Sequence, residues 1–145
     1  MTESRRPVAP RGLSDLGWLL TDFVQRQPDV RHAIVLSTDG LPMSRSADLN
    51  DSDADRLAAV AAGAQSLGLA LSNQFGGGSL RQVLFELADT YLIIMAAGSG
   101  ACLAVRADHQ ADIGTIAYEM GLLVARVGEF LTAPARGTAV SGSPR

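Results

Sequence analysis

Lysine is missing from this chain of 145 residues, in which all twelve basic side chains are arginines. Phosphate loops use a lysine to reach the terminal phosphates, so the usual cation of a nucleotide site is lacking. Cysteine is nearly absent as well. Cys102 stands alone, which excludes an internal disulfide and predicts a reducing compartment, the cytoplasm. Long apolar runs are also missing. The longest, Tyr91 to Ala97, falls far short of the roughly 18 residues that would insert in a membrane. No apolar segment follows Arg5 and Arg6, which predicts no signal peptide. Charge is modest at 19%, with a net value of −3. The arginines are scattered apart from Arg5, Arg6 and Arg11, so a nucleic-acid footprint, which needs clustered cations, is not expected.

What remains is a chain that is 47% hydrophobic and long enough for one domain with one core. Residues 1–11 carry two prolines and no periodicity and read as a flexible arm. Residues 133–145, with Pro134, Gly137, Gly142 and Pro144, read as a disordered tail. The folded unit is expected over residues 12–132.

Within it, Ser14 is placed to cap a first helix carrying Leu16, Leu20, Phe23, Val24 and Gln27 at helical spacing. Asp22 and Arg26 form a possible i,i+4 pair on its wet side. His32 to Ser37 and Leu41 to Ser46 are strand-like and joined through Thr38-Asp39-Gly40, where Asp-Gly suits a tight hairpin. Asp48 to Asp53 is rich in capping side chains, and a helix of mostly small residues follows from Ala54 to Phe75. Gly76 to Gly78 stops it. Val83, Phe85 and Leu87 then alternate with Gln82, Leu84 and Glu86. Tyr91 to Ala97 does not alternate, as expected of a central strand covered on both faces. Ala101 to Arg106 is a further strand. A last helix starting at Asp108 or Asp112 carries Ile113, Ile116, Ala117, Met120, Val124, Val127 and Leu131 in one stripe. The order is α-ββ-α-βββ-α, an α/β sandwich with a five-stranded antiparallel sheet and helices on both faces.

Ala33-Ile-Val-Leu-Ser-Thr-Asp-Gly-Leu-Pro-Met43 resembles the first hairpin of the Roadblock/dynein-light-chain family, particularly its actinobacterial, conservon-type members. Asp53-Ala-Asp-Arg-Leu-Ala-Ala-Val-Ala-Ala62 resembles the family's central helix, and Ala111 to Gly121 the start of its last one. The resemblance covers roughly residues 12–131. It implies a non-enzymatic homodimer in which two central helices pack together and the third strands join into one sheet. It also implies a platform for a small Ras-like GTPase, as in the MglB-like regulators of gliding motility. Conservon operons add a sensor-kinase-like protein as a possible partner. The family has no catalytic residue to carry over.

Two stripes run along the central helix. Leu57, Val60, Ala64, Leu67, Leu71 and Phe75 form one; Ala59, Ala62, Gly63, Ser66, Leu69, Ala70 and Asn73 form a smaller-sided second. Small residues can lie close to the helix's own sheet, or close to a second subunit. A helix apolar all round needs more cover than one small domain supplies, which favours dimerisation. The expected interface is Ala59, Ala62, Gly63, Ser66, Ala70, Val83 and Phe85. Asp53, Arg56 and Asn73, toward the polar helix ends, are the expected partner contacts.

Competing chemistry finds less support. Gly76 to Gly78 close a helix, whereas a phosphate loop opens one. His32, His109 and Cys102 lack metal-ligand spacing. The aspartates of residues 48–55 lack the mid-loop glycine and terminal glutamate of a calcium loop. No cofactor and no catalytic or metal site is therefore expected. A small-molecule-sensing α/β module is the alternative, with no polar cluster visible to orient a ligand.

Overall fold

The computed structural model describes residues 13–132. The expected arm and tail lie outside the described residues. In chain order the elements are α1 (Leu13–Arg26), β1 (Val30–Ser37), β2 (Pro42–Arg45), α2 (Asp51–Phe75), β3 (Val83–Glu86), β4 (Thr90–Ala96), β5 (Ala101–Asp108) and α3 (Ile113–Thr132). All neighbouring strands are antiparallel, in the spatial order β2-β1-β5-β4-β3.

Three central strands send alternate side chains to opposite faces, and two cores result. Ala33, Val35, Ile93, Leu103 and Val105 pack with Leu16, Leu20 and Phe23 of α1 and Ile116, Met120 and Val127 of α3. Ile34, Leu36, Leu92, Ile94, Cys102 and Ala104 pack with α2. Two helices therefore cover one face and a single helix covers the other. Burying each large aliphatic side chain contributes about 1.5–3 kcal/mol, so neither core is dispensable.

The turns are built as their residues dictate. Gly40 takes φ +92°, and its N–H donates to the Ser37 carbonyl at 2.9 Å. Gly76 takes φ +78° and donates to the Ser72 carbonyl at 2.8 Å, closing α2. Asp22 and Arg26 do pair, at 2.9 Å.

Several boundaries differ from the sequence expectation. Helix α1 already includes Leu13, so Ser14 falls inside its first turn rather than ahead of it. Asp108 ends β5, where it accepts from Arg31 Nε at 2.7 Å, so the start of α3 belongs to Asp112. Asp112 Oδ1 accepts the Thr115 N–H at 3.2 Å. Strand β3 pairs only over Val83–Glu86, shorter than the alternating run.

Candidate functional site

Helix α2 begins at an Asn50 cap, whose side-chain oxygen accepts the Asp53 N–H at 2.8 Å. Asp51 and Asp53 add negative charge to the first turn, where the helix dipole favours it. The face turned to the sheet takes only Leu57 and Ala64 from the leucine stripe. Ala54, Ala58, Ala61 and Ala64 lie there, all buried, with Gln65 beside them. Methyl groups let the helix backbone settle close to the strands. The larger side chains Val60, Leu67, Leu71 and Phe75 consequently point away from the core and are exposed.

The small-sided stripe divides. A Cβ built on Gly40 lies 3.7 Å from Ala62 Cβ and 3.9 Å from Ala59 Cα, so these two alanines sit beside the β1–β2 turn. Gly63 has open space around it. Ser66 and Ala70 are exposed. On the other element of the expected interface, Val83 is half-buried against the α2 core and Phe85 is exposed. Asp53 and Arg56 are brought together, 3.6 Å apart. Asn73 is not with them: seventeen residues of helix separate it from Arg56, about 26 Å at 1.5 Å per residue.

The two sheet edges are finished differently. Strand β2 opens with Pro42, carries a register shift opposite Val35 and Leu36, and ends at Arg45, which pairs with Asp51 at 2.6 Å. Proline, bulges and charge all discourage further pairing. Strand β3 has none of the first two devices, and among the described residues no strand pairs with its outer edge. Leu84, Phe85 and the following Leu87 are exposed there. A free strand edge and the outer side of α2 thus form one uncovered apolar region.

Sequence reasoning missed Arg106. It projects from β5 on the α2 side, next to His32 in the ladder. With Leu49, Asp53, Arg56, Leu57 and Val60 it lines a cavity of about 260 Å³ under the first turns of α2. Strand parity would have given its face. Nothing in the sequence ties it to the start of α2, some fifty positions earlier in the chain.

Titratable groups here are poor reagents. Burial and the Arg106 charge push the His32 imidazole below its usual range, against a smaller opposite pull from Asp48 and Asp53. Burial pushes the Cys102 thiol up, which keeps it protonated. Among the described residues no three His, Cys, Asp or Glu side chains converge on a metal position. No helix described is long and apolar enough to cross a membrane.

The arrangement is that of an α/β sandwich whose distinguishing surface is a helix flank beside an open strand edge. The chain belongs to the Roadblock/LC7 family, whose domain is matched over residues 16–107. A crystal structure of a Roadblock/LC7 domain from Streptomyces avermitilis is 44% identical, with 80% of this chain and 97% of that one covered and a TM-score of 0.76. The gliding protein MglB from Thermus thermophilus shares the fold at 17% identity and TM-score 0.71, over 81% of this chain and 89% of that one. Myxococcus xanthus MglB does so at 18% identity and TM-score 0.66, over 83% and 94%. No curated protein matches.

Proposed function

We propose that this protein is a non-enzymatic, cytoplasmic homodimer that regulates or holds a small Ras-like GTPase. The observation that carries the reading is the uncovered surface formed by α2 and the free edge of β3. A monomer has little reason to leave Leu67, Leu71, Phe75, Phe85 and Leu87 all in water on adjoining elements. Pairing two β3 edges would continue the sheet across the subunits and bring the two α2 helices side by side. The GTPase would sit on that paired-helix platform, with Asp53 and Arg56 at one end and Asn73 at the other as candidate contacts. The resemblance to the conservon-type proteins adds a sensor-kinase-like protein as a further partner.

Light scattering of the purified protein tests the first half: a dimer at micromolar concentration is expected, and a monomer overturns it. A small GTPase encoded beside the gene supplies the second test. It is expected to bind the dimer in a nucleotide-dependent way, and equal affinity for its GDP and GTP forms overturns regulation.

A further inference from the structure

The cavity under the first turns of α2 joins apolar walls to an uneven balance of charge. Leu49 is buried, Leu57 is half-buried and Val60 is exposed, so apolar surface runs from its floor to its rim. Asp53, Arg56 and Arg106 complete the lining. Asp53 is already engaged twice. One of its oxygens accepts from Asn50 Nδ2 at 3.3 Å, and the other lies 3.6 Å from Arg56 Nη1. Arg106 is not so placed, and among the described residues no carboxylate pairs with it. Its ladder neighbours are His32 and Leu92, neither of them negative. Asp108, two positions along β5, is taken up by Arg31 at 2.7 Å. Two guanidiniums therefore share the lining with one carboxylate, and the surplus cation stands beside leucine and valine.

We propose that this cavity binds a small organic acid, its carboxylate held by Arg106 and its apolar body lying on Leu49, Leu57 and Val60. A guanidinium takes a carboxylate through two parallel N–H···O bonds, so the head group is matched in shape as well as charge. Arg56 supplies a second positive charge. Its contact with Asp53 is longer than a hydrogen bond, which leaves its donors available. At about 260 Å³ the space is just below the range of about 300–1,000 Å³ that holds drug-sized ligands, so the occupant is small.

Both halves of the ligand are required. A carboxylate on an exposed arginine gains little in water, so the apolar body has to supply much of the affinity. Inorganic phosphate would satisfy the arginines and leave the apolar walls in water. A neutral hydrocarbon would cover the walls and leave Arg106 without a counter-charge. The proposal stands apart from the dimer and GTPase reading, since every lining residue belongs to one subunit. Arg56 is also a candidate partner contact, and an occupied cavity changes the charge that a docking protein meets there.

The test titrates the isotope-labelled full chain with hydrocinnamate and with isocaproate, at constant ionic strength, by nuclear magnetic resonance. At least one acid is expected to saturate with a dissociation constant near or below about 1 mM, shifting the amides of Leu49, Leu57, Val60 and Arg106. The matching amides, hydrocinnamamide and isocaproamide, keep the body and lose the charge; acetate and inorganic phosphate keep a charge and lose the body. All four are expected to bind at least about tenfold more weakly. Arg106→Gln is expected to weaken the acid by a similar factor, and Arg106→Lys by less, because it keeps the charge without the fork. Saturation by neither acid overturns the proposal, as does an amide, acetate or phosphate that binds as well as the acid. A folded Arg106→Gln variant with unchanged affinity overturns it too. The amide comparison is made on the wild type and holds whatever Arg106→Gln does to folding.

Discussion

Arg106 on β5 stands opposite His32 on β1 in the antiparallel ladder, so a permanent cation neighbours a half-buried imidazole. Nδ1 of His32 is buried without a hydrogen-bond partner. Burial first, and the Arg106 charge second, lower the pKa of His32 below 6.5; Arg31 acts in the same direction and Asp48 and Asp53 oppose it. In the unfolded chain His32 protonates as pH falls through 6.5, while the folded protein resists until lower pH. The unfolded state then binds more protons, and stability falls with pH. The contribution is fully present above 6.5 and is lost on acidification through the lowered folded value. Thermal melting is expected to drop between about pH 7.5 and about pH 5.5, and His32→Gln to flatten that slope. An unchanged slope in the variant would remove His32 as its cause. The Arg31–Asp108 pair acts in a separate window: it holds the Asp108 carboxyl below 3.8, so its share is lost only in stronger acid.

The alanine face of α2 predicts a sharp contrast between neighbouring positions. Ala58→Leu forces a branched side chain between helix and strands, at a cost of about 1–3 kcal/mol. Asp55→Leu, on the exposed side of the same helix and outside the expected interface, should change stability by less than about 0.5 kcal/mol. Urea unfolding of the two variants measures both. Equal destabilisation would mean that the helix does not rest on its alanines.

Asn50 is a third test, because it fixes where α2 begins. Asn50→Ala removes the acceptor for the Asp53 N–H and should cost about 1 kcal/mol. Asn50→Ser keeps an uncharged acceptor and should be close to neutral in the same chemical melt. Loss of equal size in both would point to a role beyond capping.

Arg56 bears on mechanism in the GTPase complex. An arginine that stabilised transition-state charge would be worth about 10³–10⁵ in rate. Its guanidinium lies 3.6 Å from Asp53 and is well exposed, so we expect Arg56→Ala to weaken GTPase binding modestly without abolishing any stimulation of hydrolysis. Single-turnover GTP hydrolysis at saturating regulator decides the point. A stimulation that vanished while binding survived would make Arg56 a direct participant.

The missing lysine and the order of the Gly76–Gly78 segment lead to a last prediction: the chain alone binds neither GTP nor ATP. Calorimetric titration should give no heat beyond dilution. Micromolar binding of either nucleotide would place a site that neither the glycines nor the arginines announce.

Much of the fold was legible because strands and helices bury side chains at different periods. Val83 and Phe85 alternate with Leu84 and Glu86, and the structure pairs that run with β4. Tyr91 to Ala97 lacks alternation, and Ile93 and Ile94 indeed enter opposite cores. The surface of α2 was harder to read. Periodicity separates faces without saying which one meets the sheet, and larger side chains are the natural choice for a core. Here the choice was set by distance. A helix lying close over the strands admits only methyl groups, so Ala54, Ala58 and Ala61 turned inward and Leu67 and Leu71 outward. The cavity was invisible for another reason, since Arg106 and Arg56 belong to elements fifty positions apart and meet only through tertiary packing.

The alanine face has a mechanical consequence. Ala54, Ala58, Ala61 and Ala64 have no side-chain rotamers to rearrange. A leucine-packed helix face can yield by switching conformers, whereas this face has none to switch. The freedom in that layer belongs to the strands, where Ile34, Leu36, Leu92 and Ile94 oppose the alanines. A substitution on the strands therefore has to be absorbed by the strands, or by shifting the whole of α2.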